Sequence, residues 1–384
     1  MNLAVCGRFH FHNYAPYLAD RGILNRFYYS HRIGQQLLPS TSDVAVNLWG
    51  KEYLMRACDR ILGETRTSRL LPALHDWWES AVLRSWTSAP LWHVMLHGTA
   101  RRILRRAKSE GALLLGEPVN AHPRTLATLL EEEEARLGLA VEKETRSGGQ
   151  RLLEELASVD HLLVASRWVK RSFLQNGFPE KQIHLIPYGV NLARFTAEPV
   201  KRQFRKPFRV LCVAHLSPRK GHIDLLEAWR LLRFPDAELL LIGAWSESMK
   251  PVLKRYEGLY KHIPFVPNAE LPRYYRQSSV FVLPSIEDGL AVACLEAMAC
   301  GLPAIVTENN GAADLITPGR TGFVVPIRSP ERIAELLESL YRNPELLSEM
   351  GEAAAEGLRV SCWESYAAFL AQTYGLLQAE AAKV

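Results

Sequence analysis

Two successive series of short β-rich runs, each run separated from the next by a helical pattern, constrain this chain more than any other feature of it. Before residue 190 the runs are NLAVC, LNRFYY, VAVNLW, LWHVML, ALLLGE, HLLVAS and IHLIPYG. A polar stretch, NLARFTAEPVKRQFRKP, then interrupts the pattern. It restarts with FRVLCVAHL, AELLLIGA, IPFVP, VFVLPS, PAIVT and GFVVP. Strand and helix in alternation specify parallel sheets covered by helices on both faces. At 384 residues and 48% hydrophobic content the chain exceeds what one core organises. The expectation is an α/β protein of two doubly wound, Rossmann-like domains facing each other across a cleft and joined near residues 191–206. In such a fold a ligand lies between the domains, at the carboxyl ends of the strands.

Composition removes several classes. The net charge of +5 is too small for a nucleic-acid enzyme of this length. No apolar run reaches membrane-spanning length, and the start MNLAVCGRFHFHNYAP does not read as a secretory signal, so the expected location is the cytoplasm. The six cysteines lack metal-type spacing and sit in apolar settings, which predicts free thiols with neither disulfides nor zinc. The charge is uneven, however. ARRILRRAK at residues 100–108 places five basic groups in nine positions, with Trp77, Trp78, Trp86 and Trp92 nearby. The run reads either as a solvated helix face or as a surface docking on an anionic membrane, with Ile103 and Leu104 supplying apolar contact.

The stretch PSIEDGLAVACLEAMACGLPAIVTENNGAADLI, residues 284–316, combines a Pro-Ser turn, two carboxylates and several glycines around one helical pattern. VFVLPS reads as the strand before it, IEDG as the turn, and LAVACLEAMACG as a helix stopped by Gly301. Free N–H groups at Gly289, Leu290 and Ala291, with the helix dipole behind them, favour an anionic or oxygen-rich ligand. Asp288 and Glu296 are eight residues apart, about 12 Å along a helix, which suits a long ligand held at both ends. A second strand-to-helix loop, in VAHLSPRKGHIDLLEAW, offers Arg219 and Lys220. A guanidinium and an ammonium together can neutralise a diphosphate.

These motifs resemble the retaining nucleotide-sugar glycosyltransferases of family four, which have the GT-B fold. The resemblance rests on PSIEDGLAVACLEAMACGLP, IPYGVNLARF, LSPRKGHIDLLEAW, VFVLPS, TENNGAADLI, GRTGFVVP and a terminal helix beginning CWESYAAFLAQTY. It covers the C-terminal domain and the link, and is much weaker before them. It implies an acceptor domain at residues 1–197 and a donor domain at 198–362, with the helix at 363–384 packing back on the first. Asp288 would bind donor-sugar hydroxyls beside the reacting carbon, and Glu296 the ribose hydroxyls. Arg219 and Lys220 would hold the diphosphate, with Gly311 and adjoining N–H groups as a further phosphate contact. Val266 would meet the base. A histidine from the first domain would reach the sugar, His122 in VNAHPRT being the best match and His97 a competitor.

The implied reaction transfers a hexosyl group with retention, independently of a metal, from a nucleotide-diphosphate sugar to a glycan, lipid-linked or small-molecule acceptor. The donor is a substrate, and no separate cofactor is expected. Asp288 replaces the family's usual glutamate, Leu290 and Ala291 replace an aromatic and a glycine, and His215 stands where an arginine is common. The alternatives are a nucleotide-sugar isomerase or phosphorylase of the same fold, or a silent partner subunit that binds nucleotide without turnover.

Overall fold

The structure, a computed structural model, describes residues 1–31, 41, 43–62, 67, 70–139, 144–197 and 207–383. Among these residues thirteen strands form two all-parallel sheets. The first contains β1 (Asn2–Val5), β2 (Arg26–Tyr29), β3 (Ala45–Asn47), β4 (Leu91–Leu96), β5 (Leu113–Pro118), β6 (His161–Val164) and β7 (Ile183–Leu185), in the order β3-β2-β1-β4-β5-β6-β7. The second contains β8 (Phe208–Val213), β9 (Ala237–Ile242), β10 (Lys261–Ile263), β11 (Val280–Leu283), β12 (Ala304–Thr307) and β13 (Gly322–Val325), in the order β10-β9-β8-β11-β12-β13. In each sheet the strand order reverses beside the first strand, and that switch point opens a crevice at the strand ends. The central strands β1, β4, β11 and β12 are buried along their whole length, as sheets covered on both faces require.

All seven strands expected in the first half form. In the second half one is displaced. β10 is Lys261–Ile263, so IPFVP begins at its last residue rather than forming it. Pro264 and Pro267 deny that stretch two ladder donors, and the exposed edge needs no apolar sequence.

The terminal helix Trp363–Ala381 leaves the second sheet and returns to the first. Tyr374 and His93 of β4 share a 2.7 Å hydrogen bond, and the Tyr366 hydroxyl lies 3.3 Å from Glu117 at the end of β5. Glu117 is almost fully buried and is flanked by His10 Nε2 at 2.5 Å and His93 Nε2 at 2.9 Å. Burial opposes its charge, yet the two imidazoles hold its pKa down at about 2. The helix therefore docks through a buried polar network as well as through Trp363, Tyr366 and Leu370 in the core.

Two aspects of the basic run need correction. In the helix Arg101–Ser109, Ile103 and Leu104 are fully buried against the first sheet and have no surface to offer a bilayer. Trp78 and Trp92 are likewise fully buried, and only Trp77 and Trp86 among the neighbouring indoles reach solvent. The six cysteines are free thiols, four buried and two half-buried. No helix among the described residues is long and apolar enough to cross a membrane.

Candidate active site

The crevice between the sheets is built from loops that follow the strands of both domains. The loop after β8 carries Arg219 and Lys220 on a short turn that ends at Gly221, whose φ of +65° is left-handed. A Cβ there would overlap the Pro284 carbonyl, so glycine seats this loop directly on the one after β11. The backbone carbonyl of Arg219 accepts from the N–H of Ile286 at 2.9 Å, which locks the two loops in register.

In the loop after β11, Lys220 Nζ donates to Asp288, and Arg219 Nη1 lies 3.0 Å from Glu287 Oε2. Four opposite charges thus converge in one partly closed crevice. Although burial opposes charge on Arg219, Asp288 and Glu287 hold its pKa above the ordinary value. Burial raises the pKa of Glu287, against the pull of Arg219. Arg219 Nε and Nη2 have no partner among the described residues, so half of the guanidinium fork remains available.

The helix itself starts later than its sequence suggests. It runs Val292–Ala299, so Asp288 to Ala291 form an extended approach, and the distance from Asp288 to Glu296 is only half helical. The change leaves the N–H groups of Gly289, Leu290 and Ala291 without partners among the described residues, as a ligand-binding turn requires. Glu296 sits one turn inside the helix, where it accepts from Tyr275 Oη at 2.9 Å and from Asn268 Nδ2 at 3.4 Å. Burial lifts its pKa to about 7, against those hydrogen bonds. Val266 is half-buried against the hydrophobic core, two residues before Asn268.

Gly311 has a different role from the one its resemblance implies. Its N–H donates to the Asp288 carbonyl at 2.8 Å, and those of Ala312 and Ala313 are taken by Asn310, so none is free for phosphate here. A Cβ at 311 would overlap the Gly289 carbonyl and crowd the Ser166 side chain. Its smallness serves the fit of loop against loop.

The first domain closes the site through the loop after β5. His122 caps the helix Pro123–Leu137, with Nδ1 accepting from Arg124 N at 3.3 Å. Its own N–H donates to Ser172 Oγ at 2.9 Å, and its ring meets Phe173 edge-on. Burial, aided by Arg124, pushes its pKa down to about 4, so the ring is neutral at physiological pH. Since Nδ1 accepts, the proton resides on Nε2, which has no partner among the described residues and can donate to a ligand. His97 directly follows β4 beside Phe9, with an accessible ring whose basicity is lowered by the surrounding protein, then by Lys51 and Arg219.

The two halves touch closely. The Ser166 hydroxyl donates to the Gly289 carbonyl at 2.6 Å, and Arg167 N donates to Asp314 at 2.6 Å. Arg136 pairs with Asp224 at 2.9 Å, and Arg328 with Glu132 and Glu133 at 3.0 Å each. A Cβ at Gly289 would overlap the carbonyl of Val119 across the domain boundary. Among these groups Glu287, Asn120 and Ser166 escape sequence reasoning. Only the doubled acid in IEDG hinted at Glu287.

Two parallel-sheet domains with cations, free N–H groups and a buried carboxylate in the crevice between them define a GT-B architecture. Residues 194–357 match the family model described as glycosyl transferases, group 1. The chain is 29% identical over 234 residues to a GDP-mannose-dependent alpha-(1-6)-phosphatidylinositol monomannoside mannosyltransferase of Mycobacterium tuberculosis, covering 55% of this chain and 60% of that one. It is 33% identical over 208 residues to a D-inositol 3-phosphate glycosyltransferase of an Arthrobacter species, covering 50% of this chain and 49% of that one. The chain thus spans about half to three-fifths of the curated relatives it matches. In overall fold it is similar to sucrose-phosphate synthase of Thermosynechococcus elongatus, with a TM-score of 0.70 at 18% identity over 99% of this chain and 100% of that one. It is also similar to Anabaena Alr3699/HepE in complex with UDP, with a TM-score of 0.65 at 13% identity over 98% and 100%.

Proposed function

We propose that the protein is a retaining hexosyltransferase that uses a nucleotide-diphosphate sugar and needs no metal for the diphosphate. The observation that carries this reading is the meeting of Arg219 and Lys220 with the three unpartnered N–H groups of residues 289–291. A diphosphate placed there replaces Glu287 and Asp288 as the anion nearest the cations. Glu296, at the inner end of the helix, accepts the ribose hydroxyls in place of its present donors, and Val266 borders the base. Asp288, once Lys220 turns to phosphate, accepts from hexose hydroxyls, with His122 Nε2 donating from the opposite wall.

In the transfer, the bond from the anomeric carbon to the leaving phosphate oxygen breaks as the acceptor oxygen bonds to the same face. The acceptor's proton passes to that departing oxygen. Arg219 and Lys220 stabilise the charge that develops there, which is where preorganised cations lower a barrier most. The carboxylates are positioned for two parts of one donor rather than as a hydrolytic pair.

The acceptor is inferred from the first domain. A hollow of about 520 Å³ on the basic helix is lined by Leu83, Trp86, Arg102, Arg105, Arg106 and Ser109. Arg101, Arg102, Arg106 and Lys108 are steadied by Asp76, Ser80, Glu110 and Ser158, while Arg105 has no partner among the described residues. This array suits a phosphate-bearing membrane surface, from which a lipid-linked or anionic acceptor would enter. The matched relatives named for phosphatidylinositol mannoside and inositol phosphate support an anionic acceptor of this kind.

The donor reading is tested by thermal shift and turnover with UDP- and GDP-sugars. A bound donor stabilises the fold by mass action, and transfer should release nucleoside diphosphate only when an acceptor is present. Release without an acceptor, or binding without turnover on any acceptor, would favour the isomerase or phosphorylase reading, or the silent subunit, respectively.

A further inference from the structure

Glu287 is fully buried, and both its carboxylate oxygens are committed, each to a different domain. Oε2 holds Arg219 Nη1 at 3.0 Å, within the donor domain. Oε1 accepts the N–H of Ala121 at 2.8 Å, from the loop that ends in His122. The same Arg219 nitrogen reaches Asn120 Oδ1 at 3.2 Å, so one guanidinium corner and one carboxylate bridge the crevice at adjoining points. Around them the two domains pack closely, with Gly289 against the Val119 backbone and Ser166 Oγ donating to Gly289 O.

A carboxylate removed from water in this way is costly unless each oxygen is matched, and losing one partner leaves the charge stranded. Glu287 is matched only when the domains are closed, because Ala121 arrives from the opposite side. Opening the crevice removes one hydrogen bond from the carboxylate and leaves the arginine without Asn120.

Resting on the donor reading given above, we propose that Glu287 is the positioning residue that couples closure of the two domains to the aim of Arg219. With the crevice shut, Nη1 is fixed by Glu287 and Asn120, and Nε with Nη2 is left to grip the departing phosphate. In the same movement Ala121 brings His122 to the sugar. Glu287 itself touches no reacting atom, and it acts through those two groups.

The test uses the full-length chain carrying Glu287→Gln, which keeps volume and one acceptor but loses the charge and the second acceptor. Small-angle scattering should give a larger radius of gyration than wild type in saturating UDP or GDP. Turnover should fall about tenfold or more, the scale on which misplaced catalytic groups cost rate. Affinity for UDP and GDP should stay within about threefold, because the nucleotide is held mainly by the donor domain. Asn120→Ala should have a smaller effect in the same direction, and the double variant should be no worse than Glu287→Gln, as groups serving one contact are not additive. Wild-type scattering and turnover in Glu287→Gln would overturn the proposal, as would additive losses with Asn120→Ala. If Glu287→Gln does not fold, Asn120→Ala alone decides, and unchanged scattering and turnover there overturn it. Wild-type protein that binds neither UDP nor GDP would instead overturn the donor reading.

Discussion

The turn at residues 284–291 and the basic helix Arg101–Ser109 both concentrate charge, but they hold it in opposite ways. In the turn, Lys220 and Arg219 are largely enclosed and each meets one carboxylate, with backbone packed against backbone at Gly221, Gly289 and Gly311. On the helix, Arg102, Arg105 and Arg106 stand in solvent over a shallow hollow. Enclosed charges interact through little water and cannot relax, so their partners must be replaced one for one by a ligand. Exposed charges are screened by salt and add their effects loosely. The first arrangement suits a small anion of fixed geometry, whereas the second suits an extended anionic surface.

The largest effect that could break this contrast comes from one methyl group. Gly289→Ala places a Cβ on the Val119 carbonyl and should prevent closure. Transfer should be almost abolished while UDP or GDP still binds, and the variant should fold, since the overlap is between domains. Activity near wild type would show that the donor turn does not depend on contact with the first domain.

A smaller effect sharpens the other side. Reversing Arg101, Arg102, Arg105 and Arg106 to Glu should release the protein from vesicles rich in phosphatidylglycerol, since each basic group near an anionic leaflet adds about 1 kcal/mol. The loss should be strongest at low salt, and transfer to a soluble acceptor should persist. Wild-type protein that stays in solution with such vesicles even at low salt would reduce the helix to a solvated face.

The same contrast explains what the sequence could and could not disclose. Strands such as LWHVML and FRVLCV were legible because sheets covered on both faces demand nearly continuous apolar runs. Lys261–Ile263 was not, since a three-residue edge strand carries no such demand. The meeting of the loops after β8 and β11 was legible because cations and glycines at strand-to-helix turns mark a close backbone approach. Glu287 was not, because an acid in a turn resembles a solvated one, and its second partner, Ala121, lies 166 positions away in the chain. Ile103 and Leu104 were read as surface for a similar reason. Between arginines they looked exposed, but at helical spacing they form the inward face.

Glu296 and Asp288 mark the two ends of the donor in this account, and their roles separate in one titration. Glu296 has a pKa lifted to about 7 from an ordinary 4.5, so its burial adds stability that is fully present below 4.5 and is lost as pH rises through 7. On the proposed donor reading, the carboxylate formed in that range is the form that would accept two ribose hydroxyls. Calorimetric titration with UDP or GDP from pH 6 to 8 should therefore show wild-type affinity rising with pH, and Glu296→Gln should bind weakly with a flat profile. Asp288→Asn should bind nucleoside diphosphate at least as well as wild type, because Lys220 is freed for phosphate, yet transfer no sugar. Equal loss of nucleotide affinity in the two variants, with unchanged pH dependence, would contradict the assignment of ribose to one end and hexose to the other.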